Sequence, residues 1–314
     1  MINSCAYCNS LKTGIDGDNF CSVNGVNQPF DSVGNSFLVK SKNLNSGHHI
    51  SRLTFRSVMD GYQSYKVEGK EHMITKDNYL IVRKGENYNN EINSIAETES
   101  VIVAFGDHFE GDVYSGLTKS EEKLLDNPYA SIDISGNSNL FNSTYTKTPI
   151  VSEILQQIKK AILEEKKSPM LFEQLHYALM RELINNHNEI LHTLNEVAEL
   201  KKSTKIELYR RISVSRDYME ANFNKPLKLK QIADSASLSP YHFLRSFKKI
   251  FKVTPLEYLT TTRLKYAQYL LINSETNIQD ITLLCGFENH SSFTRLFKNY
   301  YHTSPSAFTK HKFS

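Results

Sequence analysis

Apolar and polar positions follow two different periods along this chain, changing from one to the other near residue 148. From Phe37 to about Phe105 the apolar residues come in short bursts between turn residues. Ser51-Arg-Leu-Thr-Phe-Arg alternates apolar and polar side chains. Tyr62-Gln-Ser-Tyr-Lys-Val runs into Glu68-Gly69 and then His72-Met-Ile. Tyr79-Leu-Ile-Val stops at Lys84-Gly85, and Val101-Ile-Val-Ala-Phe stops at Gly106. Closely spaced strands with turn signals between them predict an antiparallel sandwich or small barrel. Residues 1–35, rich in Asn, Ser and Gly, read as a loose arm, and 107–147 show no sustained period. Thr148-Pro149 is an N-cap and first-turn pair that opens a helix with Ile150, Ile154, Ile158, Ala161 and Ile162 at 3.6 spacing. Ser168-Pro169 opens a second, with Leu171, Leu175, Ala178, Leu179 and Leu183 as its apolar stripe. That stripe is expected to pack on the barrel, and part of it to pair two copies of the chain. Polar residues 187–203 read as a linker.

The last third carries an internal repeat. Ser239-Pro-Tyr-His-Phe-Leu-Arg-Ser-Phe-Lys returns as Asn289-His-Ser-Ser-Phe-Thr-Arg-Leu-Phe-Lys. Phe243, Arg245, Phe247, Lys248 and Pro255 correspond to Phe293, Arg295, Phe297, Lys298 and Pro305. Upstream the register slips by one, with Ile232 matching Ile281 and Ser237-Leu238 matching Gly286-Phe287. Each copy reads as helix, tight turn, helix, the second helices covering about 239–251 and 289–300. Ser239 and Asn289 are N-cap types. Phe243, Phe247 and Ile250, and likewise Phe293, Phe297 and Tyr300, fall on one buried face. The opposite faces carry Tyr241, Leu244, Arg245 and Lys248 in the first copy, and Ser291, Thr294, Arg295 and Lys298 in the second. An apolar face holding a helix whose other face is cationic and hydrogen-bonding suits a helix-turn-helix in a DNA major groove. Tyr241, Leu244, Arg245, Ser291, Thr294 and Arg295 are placed to read bases. Ser239, Lys248, Asn289 and Lys298 are placed to meet phosphates. Thr254-Pro255 caps a connecting helix to about Ile272, and Ser304-Pro305 starts a last short one.

Charge sharpens this division. The whole chain is nearly balanced at +3, but residues 201–314 hold 19 basic against 8 acidic side chains, +11. The preceding 200 residues hold 18 basic against 26 acidic, −8. A polyanion is therefore expected to meet only the last third. An anionic membrane fits less well than double-stranded DNA, because the cations are spread over several capped helices. Hydrophobic residues at 39% and charged residues at 23% are those of a globular protein. No stretch approaches the roughly 20 apolar residues of a membrane helix. The first thirty residues, interrupted by Gly14, Asp16 and Asp18, show no signal peptide, and four cysteines make no disulfide scaffold. A cytoplasmic protein is expected.

On these residues the segment 205–314 resembles the DNA-binding domain of the AraC/XylS family of transcription regulators. Ile232-Ala233, Arg263-Leu264 with Ala267 and Leu270-Leu271, Gly286-Phe287, Phe293-Thr-Arg-Leu-Phe-Lys and Ser304-Pro305 carry the resemblance. It implies seven helices, two helix-turn-helix units, contact with RNA polymerase, and transcriptional control that is usually activation. Lys252 and His302 stand where the family often has Gly, and Thr282 where a small residue is expected. The front of the chain resembles more loosely the family's cupin-like companion, best in Gly61–Glu86, which implies a barrel with helices that pair subunits as a homodimer. The fold class expected is α+β. Its parts are the arm 1–35, a cupin-like effector and dimerisation domain 36–186 (strands about 37–106, helices about 148–186), the linker 187–203, and the DNA-binding domain 204–314.

Candidate chemistry elsewhere is sparse. Tyr62, Tyr65, Arg83 and Tyr88 are candidates to line a pocket for a small effector, against ordinary barrel packing as the alternative. A cupin-type metal enzyme fused to a DNA-binding domain is the competing function. It needs clustered histidines, yet His48 and His49 are adjacent, and adjacent residues of a strand point to opposite faces. His72 and His108 stand alone, so no metal, cofactor or catalytic residue is expected. Cys5-x2-Cys8 with Cys21 lacks the fourth ligand of a structural zinc site. Some members of the resembled family carry a zinc-held alkyl-acceptor module, whose four-cysteine set is missing here.

Overall fold

The computed structural model describes residues 20–23, 34–118, 143–164, 168–195 and 202–310. Cys5 and Cys8 of the arm lie outside these residues, as does most of the poorly periodic stretch 107–147. The chain divides into two compact units, Met1–Thr193 and Leu194–Ser314.

The first unit is a nearly closed antiparallel β barrel with helices. Its strands are β1 (Phe20–Val23), β2 (Gly34–Ile50), β3 (Thr54–Asp60), β4 (Gln63–Val67), β5 (Lys70–Ile74), β6 (Asn78–Val82), β7 (Asn87–Phe105) and β8 (Thr144–Thr146). They run in the order β1-β2-β7-β3-β6-β8, while β4 joins β5 to the first half of β7. The β4–β5 turn sits on Glu68 and Gly69, both at positive φ (46° and 79°). Two such residues in a row match the twist of the flanking strands. The arm expected over residues 1–35 contains a strand after all, because Phe20–Val23 pairs with Phe37–Lys40.

Among the described residues, three helices follow β7: α1 (Phe109–Thr118) and, after β8, α2 (Pro149–Leu163) and α3 (Pro169–Asn195). They cover one face of the sheet. Leu38, Phe55, Tyr79, Ile81, Val101, Val103 and Phe105 pack there against Val151, Ile154, Leu155, Ile158, Leu175, Leu179 and Leu183. The alternation in Thr54-Phe-Arg is therefore not an alternation of core and solvent. Phe55 faces the helices, and Arg56, opposite Ile102 and Leu80, faces the barrel interior; both are buried. A sheet covered on both faces reads as the near-continuous apolar run seen at Val101–Phe105.

Two helical expectations need correction. Ile150, placed in the apolar stripe, is exposed, and Val151 and Leu155 take its place. The expected linker 187–203 is helical as far as Asn195. The reason is the stripe itself, which continues beyond Leu183 and Ile184 through His187, buried to 3%, and Ile190. One inward residue per turn is enough to keep a polar-looking segment docked.

Among its described residues the second unit has seven helices: α4 (Lys202–Ala221), α5 (Leu229–Ser235), α6 (Pro240–Phe251), α7 (Pro255–Asn273), α8 (Ile278–Leu284), α9 (His290–Tyr301) and α10 (Pro305–Lys310). It has two cores. The first gathers Ile212, Met219, Phe223, Ile232, Ala233, Phe243, Phe247 and Leu259. The second gathers Leu264, Ala267, Leu270, Ile281, Phe287, Phe293 and Phe297. The long helix α7 contributes to both, with Leu259 in one and Leu264 onward in the other.

Candidate nucleic-acid interface

Each core holds one copy of the repeat, and the two turns match bond for bond. In the first, the Ser237 N–H donates to Asp234 O (2.9 Å) and the Leu238 N–H to Ala233 O (3.1 Å). In the second, Gly286 donates to Leu283 O (2.8 Å) and Phe287 to Thr282 O (3.1 Å). Such paired bonds close a helix whose following residue is left-handed, and Ser237 (φ 52°) and Gly286 (φ 75°) hold that position. The one-residue slip between the copies is Glu288, inserted between the turn and the cap. Thr282, where a smaller residue was expected, fits because its hydroxyl donates to Ile278 O (2.8 Å) within its own helix.

The caps then set the direction of the outward helices. Ser239 Oγ accepts from the His242 N–H (3.4 Å), and Asn289 Oδ1 from the Ser292 N–H (2.8 Å). Each leaves a donor, the Ser239 hydroxyl and the Asn289 amide, at a helix N-terminus, where backbone N–H groups favour an anion. Behind them Phe243, Phe247, Phe293 and Phe297 are fully buried. In α9 the third inward residue is not Tyr300, which is exposed, but Tyr301, packed on Phe297 with ring centroids 4.7 Å apart. Phe308 of α10 also packs on Phe297 and Tyr301, drawing the core toward that side of α9.

The outward faces are largely as expected. Tyr241, Leu244, Arg245 and Lys248 of α6 are exposed, as are Ser291, Arg295 and Lys298 of α9. No ion pair within the described residues engages the side chains of Arg245, Lys248, Arg295 or Lys298. Hydrogen bonds from Thr254 and then the nearby charge of Lys248 lower the pKa of the Glu257 carboxylate. None of the four cations is held in an ion pair among the described residues, which leaves them available to an external polyanion. Thr294 differs, being half-buried with Oγ1 3.4 Å from His290 Nε2, while His290 Nδ1 lies 3.5 Å from Thr282 Oγ1. His290 thus ties the start of α9 to α8. Sequence reading missed it because Pro240 holds the corresponding place in the first copy. Exposed Lys249, beside Lys248 in the last turn of α6, was also not singled out.

A buried polar network seats α6. Arg216 of α4 is 4% exposed, donates to Asp217 Oδ1 through Nη2 (2.9 Å) and Nε (3.2 Å), and lies over the Phe251 ring at 5.3 Å. Tyr258 of α7 donates to Glu220. Burial, then the neighbouring Glu220 carboxylate, push the Tyr258 hydroxyl well above its ordinary range. Cys285, in the second turn, is buried, and burial raises its thiol to about 12, which leaves it an unreactive apolar side chain.

In the first unit the four effector-pocket candidates do not form one set. Tyr65 and Tyr88 are buried in the barrel interior, with their rings 5.1 and 4.0 Å from the guanidinium carbon of Arg56. Burial raises the Tyr65 hydroxyl, which faces Arg56 and Asn90. Arg83 sits instead in the β6–β7 turn, half-exposed, with Nε and Nη2 donating to Glu86 Oε1 (3.0 and 2.9 Å). Tyr62 is half-buried before β4. The buried arginine is thus Arg56, whose place opposite Leu80 and Ile102 only pairing reveals. Among the described residues no three His, Cys, Asp or Glu side chains come together to hold a metal. No helix there is long and apolar enough to cross a membrane.

Residues 232–311 match the family described as helix-turn-helix domain. Over 97 residues, 31% of this chain and 46% of the relative, the sequence is 35% identical to the bifunctional transcriptional activator/DNA repair enzyme AdaA of Bacillus subtilis. Over 137 residues, 40% of this chain and 49% of the relative, it is 29% identical to the lactose operon transcription activator of Staphylococcus xylosus. Among solved structures, a transcriptional regulator with an AraC-type DNA-binding domain from Chromobacterium violaceum is similar over 33% of this chain and 93% of its own. Its TM-score is 0.32 and its identity 27%. The chain spans less than half the length of the two curated relatives.

Proposed function

The C-terminal unit carries an AraC-type helix-turn-helix domain, and from that premise we propose that the protein is a sequence-specific, DNA-binding regulator of transcription. One observation carries this reading: two copies of the same capped helix-turn-helix, closed by the same turn bonds, each present an outward face whose arginine and lysine form no ion pair among the described residues. Arg245 and Arg295 are the base readers, with Tyr241, Leu244, Ser291 and Thr294 beside them. Lys248, Lys298 and the caps Ser239 and Asn289 hold phosphates. Helix α7, with 19 residues, spans ~28 Å at 1.5 Å per residue. That suits two heads on successive major grooves, about 34 Å apart along the duplex. Both relatives' names state activation, and in this reading the present chain activates too, in the cytoplasm, through contact with RNA polymerase.

Control belongs to the first unit in this reading. A small effector is seated inside the barrel near Tyr65, Tyr88 and Arg56, and no catalysis is assigned to the chain. Since the apolar stripes of α2 and α3 are occupied by the sheet, a homodimer contact falls to the exposed Ile150, Leu163, Met170 and Tyr177. The test is selection of bound duplexes from a random library by the full chain. A recurrent site with two groups of read base pairs is expected. Recovery of unrelated sequences, all bound with equal affinity, overturns the proposal. Native mass spectrometry of the same preparation reads dimer, retained effector and any bound metal together.

A further inference from the structure

The two helix-turn-helix units meet on a short stretch of backbone that belongs to neither copy of the repeat. Helix α4 ends at Ala221, and the chain continues through Phe223, Asn224 and Lys225 toward α5. From α7, Arg263 Nε donates to Phe223 O at 2.7 Å and Nη2 donates to Lys225 O at 2.9 Å. The same guanidinium lies over the Phe287 ring, 5.7 Å from its centroid, at the turn of the second unit. Gly286 of that turn backs directly onto the stretch. A Cβ at Gly286 would lie 2.9 Å from Asn224 C, Asn224 O and Phe223 O. Below them Phe223, buried in the first core, meets Tyr266 edge-on at 4.9 Å, and Tyr266 packs against both cores.

We propose that Arg263 and Gly286 form a clamp that fixes the second helix-turn-helix unit against the first, making Arg263 a positioning residue for the spacing of the two groups of bases read by α6 and α9. A helix alone would join the two heads through a connector free to bend and twist at its ends. The carbonyls after α4 have no partner inside that helix. A planar guanidinium that engages two of them at once cannot turn without losing both bonds. The missing side chain at Gly286 lets the second turn close on the same carbonyls. The heads are thereby held at one separation and one rotation. Each base pair inserted between the two groups rotates one of them by about 35° around the duplex and moves it about 3.4 Å. A clamped pair of heads cannot follow that displacement, whereas a loosened pair can.

The inference rests on the DNA-reading function proposed above, and one experiment separates the two. The full chain, Arg263→Ala, Arg263→Lys and Gly286→Ala are titrated against the selected site. Further duplexes carry one or two base pairs inserted or deleted between the groups, or only one group intact. Circular dichroism checks that each variant keeps its helices. The unaltered protein is expected to lose at least tenfold in affinity for a one-base-pair change. Arg263→Ala should lose several-fold at the selected spacing, bind the single group within twofold of the unaltered protein, and change less than threefold across the spacing series. Arg263→Lys, which keeps the charge and loses the fork, should fall between them. Gly286→Ala, which also strains the second turn at φ 75°, should show the same flattened spacing profile, its single-group binding being compared on the group read by α6. Failure of the unaltered protein to prefer any duplex overturns the DNA reading itself. With that preference present, a spacing profile in the folded variants parallel to that of the unaltered protein overturns the clamp. So does an equal loss on the single group, which would make Arg263 a part of one head only.

Discussion

Lys252 and His302 close the two reading helices in the left-handed region, at φ 62° and 58°. Their side chains contribute nothing that this backbone needs, and an L-residue there costs about 1–2 kcal/mol relative to right-handed geometry. Glycine removes that cost but loses about 0.5–1 kcal/mol through its freer unfolded chain. Lys252→Gly should therefore stabilise the second unit by up to about 1 kcal/mol, read as a higher denaturation midpoint with unchanged slope. A lower midpoint would show that the side chain is needed where it stands. On the outward faces the prediction is one of pattern as well as size. Arg295→Ala should weaken specific binding by ~1–3 kcal/mol and relax one position of the site. Lys248→Ala should weaken every duplex alike and reduce the salt dependence by about one phosphate contact. Anisotropy titrations at several salt concentrations distinguish the two, and identical behaviour of both variants would refute the division into readers and anchors.

Helix α4 carries the Arg216–Asp217 pair that seats α6, and helix α3 carries the buried His187. Removing one partner of a buried pair leaves the other charge desolvated, at a cost of about 3–5 kcal/mol. Asp217→Ala should accordingly lower the denaturation midpoint of the second unit while leaving that of the first unchanged. His187 is held neutral by burial, which lowers its pKa to about 4 from an ordinary 6.5. Between those values the unfolded chain binds the proton and the folded chain does not, so stability falls as pH falls from 6.5 to 4. Above 6.5 both states are neutral and the dependence vanishes. The loss should reach about 2–3 kcal/mol at pH 4, at 1.36 kcal/mol per unit. His187→Leu should remove that acid-side slope, and a slope left intact by the substitution would place the titrating group elsewhere.

At the scale of the whole chain, charge is divided unevenly along the sequence. The first 200 residues carry −8 and the remainder +11. Only residues 196–201 separate α3 from α4, at most about 25 Å of fully extended chain. An effector seated in the first unit can change DNA binding only by binding two arrangements of the chain with different affinity. The fragment 202–314 should then bind one group of read bases at least as well as the full chain does, and ignore any effector. It should bind a repeated site less well, having lost the avidity of a dimer. A fragment far weaker than the full chain on the single group, at matched salt, would mean that the first unit assists binding.

Much of the second unit was legible in the sequence because its signals are local. N-caps at Ser239, Thr254 and Asn289, proline in the first helical turn, and phenylalanines at i and i+4 determine helices within a few residues of themselves. A repeat of such signals determines a repeated structure. The strands too announced themselves through turns such as Glu68-Gly69. What the tertiary structure alone decided depends on segments far apart in the chain. Arg56, rather than Arg83, lies against Tyr65 and Tyr88 because β3 pairs with β6 and β7. The helix runs past residue 187 because His187 is buried and Ile190 packs on the core that sheet and helices share. Tyr301 replaces Tyr300 because α10 supplies Phe308. Arg263 reaches Phe223 and Lys225 across 38 residues or more. Local pattern specifies which face of an element is apolar. Which partner covers that face, and which polar group is carried inward with it, is set only when distant segments meet and water is excluded between them.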